Sequence, residues 1–123
     1  MKQVLLVFLG GGLGSVARYW LSLKLNHVES SIPYGTLLAN VLGSLIIGFI
    51  FGYWAKTGML NNNQSLLLAT GFCGGFTTFS AFAYENHLYI KSGDYFSLLP
   101  YLALTFILGI SAVFAGVYLA KWV

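Results

Sequence analysis

The segment 71–82, GFCGGFTTFSAF, concentrates the groups in this chain that could do chemistry. Gly74 and Gly75 stand beside Thr77, Thr78 and Ser80 inside a long apolar stretch, and Phe79 and Phe82 follow three residues apart. Glycine disfavours helix and β-branched threonine adds little, so a helix crossing here is expected to break or loosen. Backbone groups freed in hydrocarbon must meet protein, water or an ion. After the break, the i, i+3 spacing sets both phenyl rings on one helical face. A phenyl ring has a positive edge, so a pair of rings can hold an anion without a full charge. A Lys or Arg at that depth would bind the anion too tightly to release it. Thr77, Thr78 and Ser80 add hydroxyl donors, although such hydroxyls commonly cap their own backbone. Taken alone, phenylalanines at this spacing more often only pack.

Two further sets of groups bear on the same chemistry. Thr36, Asn40 and Ser44 are spaced four apart and form a polar stripe on one helical face. A buried amide in hydrocarbon is costly unless it is satisfied. The plain use of such a stripe is interhelical glue; beside the 71–82 motif, Asn40 reads instead as a donor lining an anion path. Carbonyls released between Gly74 and Thr77 are hard oxygen ligands, suited to a small hard cation such as Na⁺. One chain offers only two or three of them, so a second copy would have to complete the shell; the alternative is a packing kink. Arg18 serves either as a snorkelling lipid anchor or as the lining of an aqueous vestibule that attracts anions. Glu85 falls toward the far end of its helix, where Lys or water can pair with it. His27 and His87 are too isolated for a metal site. No Ser-His-Asp set, carboxylate pair, phosphate loop or CxxC is present, so no enzyme is expected.

The elements that position these groups follow from composition. The 123 residues are 58% hydrophobic and 7% charged, with mean hydropathy +0.79. Soluble domains carry about 25% charged residues, so this chain cannot cover a water-facing surface. It reads as an all-α membrane protein, one domain over 1–123, in a lipid bilayer. Four spans are legible, Gln3–Leu25, Pro33–Ala55, Gln64–Tyr89 and Phe96–Trp122, each near the ~20 residues that a bilayer demands. The third is expected to break near its middle. NHVESS, KTGMLNNN and KSGDY connect them, and Trp and Tyr residues near the span ends fit interfacial belts. The opening MKQVLLVFL could start a signal peptide, but no A-x-A site precedes Arg18, so a retained first helix is expected. Cys73 is the only cysteine, which excludes an intrachain disulfide. The net charge of +3 is read as membrane anchoring, not as a nucleic-acid footprint.

Small residues recur four apart at Gly10/Gly14, Gly11/Ser15, Gly48/Gly52 and Ala112/Gly116, the pattern of closely packed helices. They serve equally for packing within one chain or between two. Thin helices with so many glycines leave little room for a pore inside one bundle, which favours an oligomer. With both termini on one side, that side carries Lys2, Lys56 and Lys121, and the other Arg18, Lys24 and Lys91, three against three. The positive-inside rule then selects neither orientation, which leaves insertion both ways and an antiparallel dimer open.

GGGLGSVARY at 10–19, PYGTLLANVLGSLIIG at 33–48 and GFCGGFTTFSAF at 71–82 resemble the signatures of the Fluc family of bacterial fluoride channels. Length and span layout match as well, so the resemblance covers essentially the whole chain. It implies a dual-topology homodimer, assembled antiparallel in the bacterial inner membrane, with two fluoride pores and a structural Na⁺ at the dimer centre. By motif position, Asn40, Phe79 and Phe82 would line the pore with Ser80 beside them, and Arg18 matches a vestibule arginine. The backbone carbonyls of Gly74 and Thr77 would bind Na⁺. Thr36 from the second-span stripe joins this set, and Tyr101, Thr105 and Ser111 match less sharply in the fourth span. Ala81 departs from the threonine of many members. The implied activity is passive fluoride export: hydrogen fluoride enters as a neutral acid, dissociates inside, and the trapped anion leaves through the channel. The rival is a small four-helix proton-coupled transporter, which needs a membrane-embedded carboxylate; Glu85 is the only acid inside a span. A lesion-forming protein such as a holin has no use for the Asn stripe or the Gly-Gly-x-Thr-Thr break.

Overall fold

The computed structural model describes residues 1–27, 30–58 and 61–123. The connections NHVESS and KTGMLNNN each contain two residues outside that set, 28–29 and 59–60. Four helical stretches among the described residues are long and apolar enough to cross a membrane: Lys2–Leu25, Tyr34–Thr57, Asn62–Ser92 and Tyr95–Ala120. They match the four expected spans to within three residues at each end. The first two are the continuous helices α1 (Lys2–Leu25) and α2 (Tyr34–Thr57). The third is composite: α3 (Asn62–Gln64), a π-helical stretch Ser65–Cys73, α4 (Gly74–Phe76), a two-residue gap, and α5 (Phe79–Ser92). The fourth is α6 (Tyr95–Ala120).

Local chemistry sets the ends. Gly58 and Gly93 close α2 and α5 in the left-handed region at φ 63° and 74°, which glycine enters without a Cβ penalty. Asp94 then caps α6 by accepting from Ser97 N–H at 3.1 Å, so α5 and α6 are joined by one tight turn. Asn61 and Gln64 form a reciprocal capping box at the start of the third span. Pro33 stands one position before α2, as its N-cap. Lys56 Nζ donates to the Lys121 carbonyl at 2.8 Å, which places the C-terminal ends of α2 and α6 together, as four spans require.

The small-residue faces are used inside the chain. A Cβ on Gly10 or Gly14 would enter the backbone of Leu67, Phe72 or Phe76, and one on Gly75 would enter the Gly11 backbone. α1 therefore lies flush against the first half of the third span. Likewise Gly48 abuts the Val113 backbone, Gly52 the Val117 backbone, and Gly116 the carbonyl of Leu45 and the amide of Phe49. This seals α2 to α6. Two glycine seams thus make two close helix pairs, joined by α2 and a small core of Leu37, Phe82 and Tyr101.

The break is real but not where glycine would put it. Gly74 and Gly75 stay helical, and the extended residues are Thr77 (φ −81°, ψ 155°) and Thr78 (φ −150°, ψ 117°). Both are β-branched and adopt extended backbone readily. Gly75 is needed for its lack of a side chain at the α1 contact, not for its flexibility.

If the α2–α6 seam sets stability, Gly116→Ala forces backbone apart and should destabilise the protein by about 1–3 kcal/mol. Thermal unfolding in detergent reads this directly; a midpoint equal to the parent's would mean that the seam opens without cost.

Candidate functional site

The gap at Thr77–Thr78 is held by a side chain from the neighbouring helix. Asn40 on α2 accepts from Thr78 N–H at 2.7 Å and donates through Nδ2 to the Thr78 carbonyl at 3.2 Å. One carboxamide thereby replaces both hydrogen bonds that the extended residue cannot make within a helix. Thr78 also starts α5: its hydroxyl accepts from Ala81 N–H at 3.2 Å and lies 3.2 Å from the Ser80 hydroxyl. Asn40 keeps a second amide hydrogen beyond the one given to Thr78.

These bonds have a consequence upstream. Thr78 N–H would be the helical donor of the Gly74 carbonyl, and Ala81 N–H that of the Thr77 carbonyl. Asn40 and the Thr78 hydroxyl take those donors instead. The Gly75 carbonyl is served by α1, accepting from Arg18 Nε at 3.1 Å and Ser15 Oγ at 3.4 Å. One nitrogen of the Arg18 guanidinium is thus seated on the backbone at the break. Gly74 and Thr77 are left presenting hard oxygens, the donor chemistry that suits a small cation. Two such oxygens are fewer than any cation shell requires, which fits the expected Na⁺ only with ligands from a second copy. No cluster of three His, Cys, Asp or Glu able to hold a metal occurs among the described residues.

Beside the break runs a groove of about 460 Å³. Its walls are Asn40 and Ser44 from α2, residues of the third span from Ala69 to Phe82, and Thr105, Phe106 and Gly109 from α6. Not one lining residue carries a formal charge. Phe79 and Phe82 share a face as the spacing requires, with ring centroids 5.8 Å apart and planes tilted by 49°. They differ sharply in setting: Phe82 is 6% exposed, packed on Tyr101, whereas Phe79 is 75% exposed. Phe106 meets Phe82 edge to face at 6.0 Å and 87°. The Thr105 hydroxyl is buried without a hydrogen-bond partner among the described residues.

The expected pore residues therefore divide. Asn40, Phe79, Phe82 and Thr105 line one groove with Gly74 and Thr77, and Ser80 adjoins it through Thr78. Ser111 is exposed and outside the groove wall. Thr36 and Tyr101 stand in a second cluster around Glu85, donating to Oε1 and Oε2 at 2.6 Å each. The 36–40–44 stripe is thus split among three tasks: Glu85, the break and the groove. Glu85 is half-buried midway along α5 and not toward its far end, and its partners among the described residues are hydroxyls rather than Lys. Its i, i+3 spacing from Phe82 could have placed it beside the aromatic face. Phe106 and Asn26, which donates to Thr36, escaped the sequence reading. Nothing in their spacing marks either one.

Polar groups turned inward along one groove, on four membrane-length helices, define a small multi-pass membrane protein. Residues 5–117 match the family described as CrcB-like protein, Camphor Resistance (CrcB), and the chain belongs to that family. Among curated relatives, the fluoride-specific ion channel FluC of Gloeothece citriformis is 46% identical, covering 98% of each chain. The protein of the same name from Leptospira interrogans is 44% identical over 98% of this chain and 95% of the relative. That from Flavobacterium psychrophilum is 41% identical over 98% of each.

Asn40→Ala removes both partners of the extended Thr78 backbone and should cost about 1–3 kcal/mol per group left unsatisfied. Thermal unfolding of the purified variant checks it. An unchanged midpoint would assign the stability of the break to Thr78 capping alone.

Proposed function

We propose that the chain is a channel for passive fluoride export across the bacterial inner membrane, assembled as an antiparallel, dual-topology homodimer. The observation that carries the reading is the uncharged groove, where ring edges of Phe79 and Phe82 adjoin the Asn40 amide and the Thr105 hydroxyl. Ring edges and neutral donors replace part of an anion's hydration while holding it weakly enough to leave. Fluoride as the anion rests on the relatives, which are named for it at 41–46% identity over nearly their whole length. A channel of this kind makes and breaks no covalent bond, so it is not an enzyme.

The dimer is supported by the groove's open flank. Phe79 projects from the chain, three-quarters exposed, and the position beside Gly74 faces empty space. A ring left in that state supplies one wall only; a second copy would supply the other. The balanced basic residues suit insertion in both orientations. The Gly74 and Thr77 carbonyls, two from each subunit, would hold Na⁺ at the dimer centre. There it would neutralise carbonyl oxygens freed by the break and pin the two third spans together.

Within each chain, Asn40 keeps the break open and offers its spare amide hydrogen to the groove. Arg18 neutralises the Gly75 carbonyl on the α1 side. Thr36 and Tyr101 hold Glu85 beyond Phe82, so that fluoride leaving the aromatic face meets hydroxyl donors next.

The deciding measurement is ion efflux from liposomes containing purified protein, with fluoride against chloride, with and without an imposed proton gradient. Fluoride-selective efflux independent of the proton gradient is expected; obligatory proton coupling would favour the transporter. Phe79→Ile is the sharpest variant because Phe79 is exposed within the chain. It should cut fluoride efflux at least tenfold and leave folding intact, since similar-sized apolar swaps cost less than about 1.5 kcal/mol. Phe79→Met should be milder, its sulfur being polarizable. A fully conducting Phe79→Ile would sink the ring-edge mechanism. Labelling of a terminal cysteine from outside should modify about half the molecules, given the unbiased charge count; labelling of all or none would contradict dual insertion.

A further inference from the structure

The Glu85 cluster has a third layer. Asn26 is the residue that ends α1, its N–H donating to the Ser22 carbonyl at 2.9 Å. Its side chain bridges to the first turn of α2, where Oδ1 accepts from Gly35 N–H at 2.7 Å and Nδ2 donates to Thr36 Oγ1 at 3.3 Å. Gly35 N–H can only donate, so the amide has one permitted orientation, with oxygen toward Gly35 and nitrogen toward Thr36. That choice propagates. Thr36 is 2% exposed, and its hydroxyl has a single proton. Since it accepts from Asn26, the proton is directed at Glu85 Oε1, 2.6 Å away. The cluster borders a crevice of about 220 Å³ whose lining includes Asn26, Pro33, Glu85 and Tyr89.

We propose that Asn26 is a positioning residue for the fluoride path: it fixes the direction of the Thr36 hydroxyl, so that this group acts as a donor toward Glu85 or toward an anion that takes the carboxylate's place. Without Asn26 the hydroxyl is free to turn and donate to the carbonyl three or four residues before it, that of Pro33 or Ile32, as buried threonines commonly do. An anion passing the cluster then meets an oxygen lone pair in place of a proton. The inference rests on the fluoride reading, and goes beyond it in assigning a role to a residue that touches neither the groove nor the ion.

Two substitutions separate direction from mere support. Asn26→Asp keeps the shape and the acceptor for Gly35 N–H but offers Thr36 an acceptor, reversing that hydrogen bond. Asn26→Leu keeps the shape without charge and removes both bonds. Fluoride efflux from liposomes is measured for both, alongside the parent chain, Thr36→Val and the double variant Asn26→Asp/Thr36→Val. Protein loading is raised until the Thr36→Val rate is measurable. The expected result is a fall of at least tenfold for Asn26→Asp and Asn26→Leu, and a double variant no slower than Thr36→Val. That non-additivity is the signature of two residues acting as one unit. An Asn26→Asp rate equal to the parent's overturns the proposal, because support of the α1–α2 connection would then be the whole role. A double variant slower than Thr36→Val by the same factor also overturns it, because Asn26→Asp would be acting through its charge and not through Thr36. Should Asn26→Leu fail to fold, Asn26→Asp and the double-variant comparison decide alone. If the parent itself passes no fluoride while well folded, the channel reading fails and this inference falls with it, an outcome distinct from a conducting parent with an unaffected Asn26→Asp.

Discussion

No water stands by in hydrocarbon to replace a missing backbone hydrogen bond, and the two extended residues Thr77 and Thr78 violate helix pairing at mid-span. The surrounding structure is arranged to answer that one constraint. Asn40 takes both sides of the Thr78 peptide, the Thr78 hydroxyl takes Ala81 N–H, and Arg18 and Ser15 take the Gly75 carbonyl. These groups come from α1, α2 and the N-cap of α5, so the break can persist only where all three meet. The freed carbonyls of Gly74 and Thr77 and the face of Phe79 and Phe82 are thereby fixed to one depth in the fold.

The glycines serve the same end by a different route. An asparagine side chain is short, and Asn40 spans the gap to Thr78 only if α2 and the third span lie close. Gly43 allows this: a Cβ there would collide with the Thr77 methyl. On the other flank, Gly11 and Gly75 bring α1 near enough for Arg18 to reach the Gly75 carbonyl with Nε. Small residues thus set the distance, and polar side chains use it. The seams between α2 and α6 then fix where Thr105 and Phe106 stand relative to Phe82.

Much of this was legible in the sequence because hydrocarbon imposes simple rules. Span number and bounds followed from apolar length alone, and the Phe79–Phe82 face from helical spacing. The location of the break did not. Glycine propensity pointed to Gly74–Gly75, but the tight contact of Gly75 with α1 outweighs a preference of about 1 kcal/mol, and the pair stays helical. The 36–40–44 stripe was visible as a stripe, yet its three members serve different partners. Those partners, Glu85 and the Thr78 backbone, lie 49 and 38 residues away. Spacing reports which side chains share a face; it carries nothing about what the face meets. For the same reason Asn26 looked like one more polar residue in a connection, and Phe106 like one more apolar residue in a span.

The distribution of charge gives the site its character. Arg18 and Glu85 lie within helices that cross the membrane, and neither belongs to the groove wall. Arg18 rests on a carbonyl behind the break, and Glu85 accepts one hydroxyl at each carboxyl oxygen beyond Phe82. An ion in the groove therefore meets dipoles and ring quadrupoles at contact distance, while full charge acts only from behind them. Dipoles of that kind reward the ion that approaches most closely, because their attraction falls more steeply with distance than that of a full charge. A small anion gains more from ring edges and an amide hydrogen than a large one, and no lysine holds it back from leaving. In the Glu85 cluster, Thr36 and Tyr101 both point their protons at one carboxylate, so the only acid of the spans is met by neutral donors and not by a cation. The donors along this face are neutral amides and hydroxyls, and those of Asn40 and Thr36 are each held in one direction by a hydrogen bond already made within the chain.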